Sequence, residues 1–76
     1  MIIEENTNLG KIKIEIPINQ GDFIVRGSTN YIINRFVIID ERIFAVNTYS
    51  GLWVEINNLT LIKESKNANY YKEINY

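Results

Sequence analysis

From Lys11 onward the chain places isoleucine at every second position, Ile12, Ile14, Ile16 and Ile18, with Lys11, Lys13, Glu15 and Pro17 in between. Successive side chains of a strand point to opposite faces, so this alternation describes a β-strand with one apolar and one polar face and does not fit a helix. Pro17 has no amide hydrogen to give to a ladder, and lysines at alternate outward positions discourage edge-to-edge pairing. The strand is therefore expected at a sheet edge or a barrel seam.

The remaining segments follow the same logic of short apolar runs divided by turn residues. Met1 to Gly10 reads as an arm or short edge strand. Asn19-Gln20-Gly21-Asp22 is a turn, and Phe23 to Arg26 a short strand stopped by Gly27-Ser28-Thr29-Asn30. Tyr31 to Ile39 carries apolar residues at both parities, with Ile33, Val37 and Ile39 in one set and Ile32, Phe36 and Ile38 in the other. A strand buried on both faces, or coiled round a barrel corner, gives that pattern. Asp40-Glu41 joins it to a strand from Arg42 to Thr48. Asp-Glu is a poorer two-residue turn than Asp-Gly, so a loop one or two residues longer is expected. After Tyr49-Ser50-Gly51, Leu52, Val54 and Ile56 alternate with Trp53, Glu55 and Asn57, and inward-facing Leu52 and Val54 turn Trp53 outward. The Asn57-Asn58 pair marks one helical turn before a last strand from Leu59 to Lys63.

These elements make an all-β domain over residues 1–66, a five- to six-stranded antiparallel meander or barrel. Ile12, Ile14, Ile16, Val37, Val46, Val54 and Leu61 are its expected buried residues. Residues 67–76 form a Tyr-rich tail. Tyr70 and Ile74 share one face of a short helix there, with Asn67 or Asn69 as its cap.

The segment from Gly51 to Ile62, a strand after glycine, a helical turn at the Asn pair and a last short strand, resembles the end of a Src-homology-three-like barrel. The resemblance implies a small barrel fold. The adjacent tryptophans and acidic loop with which signalling domains of that family hold Pro-rich peptides are absent, so peptide binding of that kind is not implied.

At 76 residues, folding buries only about 60% of the unfolded chain's surface, a marginal core. The usual staples for such a core are disulfides and structural zinc, and the chain contains neither Cys nor His. Packing alone, or a partner subunit, must hold it together. Lack of His also removes the commonest general base and metal ligand. Ser28 and Ser50 lie in turns, Asp40-Glu41 and Glu4-Glu5 are solvated acids, and the glycines are scattered singly, so no catalytic residue, metal ligand or cofactor site is expected. The net charge of −1 disfavours nucleic acid and anionic membranes. MIIEENTN has no charged leader region and no run approaches a membrane span, so a cytoplasmic location is expected. Abundant Ile, Asn, Lys and Tyr fit an AT-rich genome, of a low-GC bacterium, an archaeon, a virus or a plasmid.

What remains is surface. Trp53, Tyr49 and Tyr31, the last with Arg35 at matching parity, are residue types enriched at binding hot spots, although Trp53 could equally serve as core. Tyr70, Tyr71, Ile74 and Tyr76 make the tail too apolar for a free end. It folds back on the barrel, docks on a second subunit or orders on a target. The first functional expectation is a non-catalytic protein-interaction module, encoded by a virus or mobile element and inhibiting a host protein. An immunity or antitoxin protein, or a small-ligand sponge, would present the same features. The alternative class is a small barrel for single-stranded DNA or RNA, with Tyr31, Tyr49 and Trp53 stacking on bases and Lys11, Lys13, Arg26, Arg35 and Arg42 on phosphates.

Overall fold

The computed structural model describes residues 1–74, so Tyr76 lies outside the described residues. In chain order the elements are β1 (Ile2–Thr7), β2 (Gly10–Glu15), β3 (Phe23–Arg26), β4 (Thr29–Ile32), β5 (Arg35–Ile39), β6 (Arg42–Asn47), β7 (Leu52–Glu55), a 3-10 turn (Ile56–Asn58), β8 (Leu59–Glu64) and β9 (Asn69–Glu73). The fold is all-β, as the apolar alternation requires. The strands form a β1-β2 hairpin, a four-stranded sheet ordered β4-β3-β9-β8 and a three-stranded sheet ordered β5-β6-β7. They number more than five or six, and the sheets do not close into a barrel. Among the described residues no helix is long and apolar enough to cross a membrane.

The core lies between the two larger sheets. Ile18, Ile24, Ile33, Ala45, Val54 and Tyr71 are buried there, with Tyr31, Phe36, Leu52, Ile56 and Leu59 packed around them. Five of the residues expected inside hold to differing degrees: Ile16, Val46 and Val54 are buried, while Ile14 and Val37 are half-buried. Ile12 and Leu61 are not buried, being 46% and 43% exposed. Alternation puts Ile12 on the same strand face as Ile14, but it cannot supply a second layer opposite. The β1-β2 hairpin faces Ile38 and Ile43 only across a cavity of about 290 Å³ lined by Ile12 and Ile14, and its base is held where the Met1 amine donates to the Ile16 carbonyl and the Ile16 N–H to the Met1 carbonyl, each at 2.8 Å. Leu61 fails for a related reason: β8 is an edge strand with a bulge between Leu61 and Lys63, which turns its far half away from the core.

The run from Tyr31 to Ile39 is two strands. At Ile33 and Asn34 the chain leaves one sheet for the other: the Ile33 N–H donates to the Asp22 carbonyl at 2.8 Å, and the Asn34 N–H to the Val46 carbonyl at 3.1 Å. Apolar residues at both parities record this change of sheet. The turn that follows is also tighter than expected. Asp40 and Glu41, at φ 49° and 66°, form a two-residue type I′ turn directly between β5 and β6. Left-handed backbone costs a non-glycine residue roughly 1–2 kcal/mol, part of which glycine returns as unfolded-state entropy. Glu41→Gly is accordingly expected to raise stability by about 0.5–1 kcal/mol, read as a higher thermal midpoint with an unchanged strand spectrum.

The tail is a strand and not a helix. β9 runs parallel to β3, with Phe23 opposite Tyr70, Ile24 opposite Tyr71 and Val25 opposite Lys72, and antiparallel to β8 on its other side. Alternation wins over helical spacing because it sends Tyr71 into the core, where it is 5% exposed, and lets both flanking strands satisfy the backbone. Of the three fates open to the tail, folding back is the one observed.

Candidate functional site

The three-stranded sheet has one face on the core and one outside, and the register defines both. Arg35 opposes Val46, which opposes Trp53, and Val37 opposes Phe44, which opposes Glu55. The outer face therefore carries Arg35, Val37 and Ile39 from β5, Arg42, Phe44 and Val46 from β6, and Trp53 and Glu55 from β7. Alternation sends Ile43, Ala45, Val54 and Phe36 inward.

Trp53 is 48% exposed, its ring centroid 6.0 Å from that of Phe44 at an interplanar angle of 52°. Val46, on the same face, is only 2% exposed between its neighbours Arg35 and Trp53. At the far end the Arg42 guanidinium sits 5.2 Å from the Phe44 centroid and binds Glu55 with two contacts, Nε to Oε1 at 3.2 Å and Nη2 to Oε2 at 2.9 Å. The hydrogen bond from Arg42 holds the Glu55 carboxyl below its usual range, and the same bond raises the Arg42 guanidinium. A depressed carboxyl contributes stability above its unfolded pKa and loses it as the pH falls through the folded one. In an exposed pair that contribution is small. The bridge fixes the direction of Arg42 and leaves it little charge to offer a ligand.

At the other end the face hollows into a groove of about 590 Å³ lined by Arg35, Val37, Val46, Thr48, Gly51 and Trp53. Its end wall is the turn between β6 and β7. Buried Asn47 builds that turn, accepting from the Ser50 N–H at 2.8 Å and the Ser50 hydroxyl at 2.9 Å while its amide donates to the Ile32 carbonyl at 2.8 Å. Gly51, at φ 76°, closes it. Asn34 bonds Thr48 twice, Nδ2 to the hydroxyl at 2.7 Å and Oδ1 from the N–H at 3.1 Å. Tyr49 stands on this rigid turn, 88% exposed. Arg35 makes no ion pair among the described residues.

Of the residues the sequence singled out, Trp53 and Arg35 thus share one groove and Tyr49 stands at its end. The other three are elsewhere. Tyr31 is half-buried against the core. Tyr70 lies on the outer face of the four-stranded sheet, stacked on Phe23 at 5.1 Å and 14°, with the Lys63 ammonium 5.4 Å from its ring. Tyr71 is a core residue, which corrects its assignment to a binding surface: burial raises its hydroxyl pKa, and its OH donates to the Pro17 carbonyl at 3.4 Å. Sequence reasoning missed Phe44, Val37 and Ile39. Their parity was visible, but which strand lay beside which followed only from the two-residue turn.

The groove offers a flat aromatic, branched aliphatic walls and one unpaired guanidinium, a chemistry of contact. Among the described residues no three acids gather as a metal site. Compared with family models, curated proteins and solved structures, the chain matches none.

Proposed function

We propose that this chain is a non-catalytic protein-interaction module whose contact face is the outer side of the β5-β6-β7 sheet. The observation that carries the reading is Trp53, the only tryptophan, held half-exposed against Phe44 and across Val46 from Arg35, which makes no ion pair among the described residues. Trp, Tyr and Arg dominate binding hot spots because they bring large rigid contact area, and in Arg's case directed hydrogen bonds, at modest entropy cost. A monomer has no structural need to present the three together. Acting by covering a partner's surface, as a virus- or mobile-element-encoded inhibitor of a host protein does, needs no more than this face. The nucleic-acid alternative is weaker, because Lys11 and Lys13 pair with Glu4, Arg26 with Glu73 and Arg42 with Glu55. Those are most of the cations that would have met phosphates.

The test compares wild type with Trp53→Ala. Because Trp53 already contacts solvent, the substitution should cost no more than about 1 kcal/mol of stability. A partner recovered stoichiometrically from host cells should bind the purified variant at least about 30-fold more weakly, equivalent to roughly 2 kcal/mol. The single tryptophan reports independently: emission should be red-shifted in the free protein and move to the blue on adding the partner. Blue, quencher-protected emission in the free protein, or equal partner affinity of the variant, would sink the reading. A salt-dependent mobility shift with single-stranded DNA or RNA would favour the alternative.

A further inference from the structure

We infer that β5 pairs edge to edge with β5 of a second copy of this chain, joining two three-stranded sheets into one across a two-fold axis at Val37. The inference rests on the backbone edge of the strand, which borders the groove of the outer face, since Arg35, Phe36, Val37 and Ile38 line that groove as well.

The two-residue turn decides which backbone groups are involved. In such a turn the carbonyl of the first residue accepts from the N–H of the fourth, so Ile39 and Arg42 are a hydrogen-bonded pair. Hydrogen-bonded and non-hydrogen-bonded pairs alternate along an antiparallel ladder. Val37 with Phe44 and Arg35 with Val46 are therefore hydrogen-bonded too, and the N–H and C=O groups of Phe36 and Ile38 point away from β6. β5 has no other strand neighbour, and no turn, loop or side-chain hydrogen bond among the described residues reaches those groups.

Proteins guard such edges with charge, brevity, proline or bulges. The other edges here are guarded. β1 and β2 carry Glu4, Glu5, Lys11 and Lys13. β8 has a bulge followed by Lys63 and Glu64, β4 is four residues long with Thr29 and Asn30, and β7 is four residues long and runs into the 3-10 turn. β5 reads Arg35-Phe36-Val37-Ile38-Ile39, regular, apolar and without proline or bulge inside it.

The strand is also complementary to itself. With Val37 opposite Val37 of the second copy, Phe36 falls opposite Ile38 and each exchanges both backbone bonds with the other. Arg35 falls opposite Ile39. The same pairing occurs on both sides of the axis, which is what an isologous interface requires. An edge of five residues is short, which puts the association at the weak end of specific interfaces.

Sedimentation equilibrium from micromolar to millimolar protein should show a reversible monomer-dimer equilibrium. Val37 is half-buried on the outer face, so Val37→Lys and Val37→Glu leave the core face intact, and circular dichroism checks that both fold. Like charges directly opposite across a ladder repel. Each variant alone should dimerise at least about tenfold more weakly, a loss of roughly 1.4 kcal/mol, and an equimolar mixture of the two should recover the dimer. Val37→Cys, nearly isosteric in a chain without cysteine, gives a second measurement: mild oxidation should link it to itself, and should leave Leu9→Cys, on the fully exposed hairpin tip, unlinked at the same concentration. Wild type monomeric throughout the range, lysine and glutamate variants as dimeric as wild type, or Val37→Cys and Leu9→Cys linking at equal rates would each overturn the pairing.

Discussion

Ile24→Ala leaves this protein largely unfolded. Ile24 has no solvent exposure, lies on the central strand β3, and is paired with Tyr31 on one side and Tyr71 on the other. Removing a large aliphatic side chain at such a site costs about 2–5 kcal/mol, the upper end where neighbours cannot collapse into the space. Here they cannot, because Tyr31 and Tyr71 are fixed by two ladders, one antiparallel and one parallel. A domain this size with neither disulfide nor metal has only about 3–5 kcal/mol of total stability to lose. Urea unfolding followed by far-ultraviolet circular dichroism should show little native strand signal for the variant even without denaturant. Ile12→Ala is the control, identical in chemistry but 46% exposed at the side of a cavity, and should cost below about 1 kcal/mol. Equal costs for the two would mean that the core does not lie between the sheets.

Those two isoleucines also mark what can and cannot be read from the chain. Alternation of Ile12, Ile14, Ile16 and Ile18 identifies a strand and its apolar face, because side-chain direction is a local property of the backbone. It does not say what lies against that face, and Ile12 is left largely uncovered while Ile16 and Ile18 enter the core. The outward direction of Trp53 was legible for the same local reason, since Leu52 and Val54 fill the core and Glu55 shares its side. The helical turn at Asn57 and Asn58 was legible as well. Phe44 as the neighbour of Trp53 was not, because cross-strand contacts depend on register, and register depended on whether Asp40 and Glu41 could both take left-handed backbone. Least legible was the pairing of β3 with β9, residues 23–25 against 70–72. No turn connects them, and the spacing of Tyr70 and Ile74 suits a helix equally well, so only the buried position of Tyr71 decides for a strand.

Asp22→Asn is the second large effect, out of proportion to a change of one atom. In the sequence Asp22 is the last residue of a turn. In the fold it is buried, and its carboxylate accepts two backbone hydrogen bonds, from the Asn19 N–H to Oδ2 at 2.9 Å and from the Asn69 N–H to Oδ1 at 3.0 Å. Its own carbonyl accepts from Ile33, where the chain passes between sheets. The first bond closes the loop before β3, and the second secures the start of β9, a contact spanning 47 residues. An amide can keep only one of the two acceptors; its nitrogen then faces a backbone N–H, donor against donor. Hydrogen bonds to charged groups contribute about 1.5–3 kcal/mol each and a buried unsatisfied donor costs a further 1–3, so the loss should reach about 2–4 kcal/mol. Native-state hydrogen exchange separates this from general weakening: amides of Asn69–Glu73 should lose protection well before those of β6, since β9 is the element released. A melting midpoint within a degree or two of wild type, or uniform loss of protection across both sheets, would show that Asp22 does not hold the tail in place.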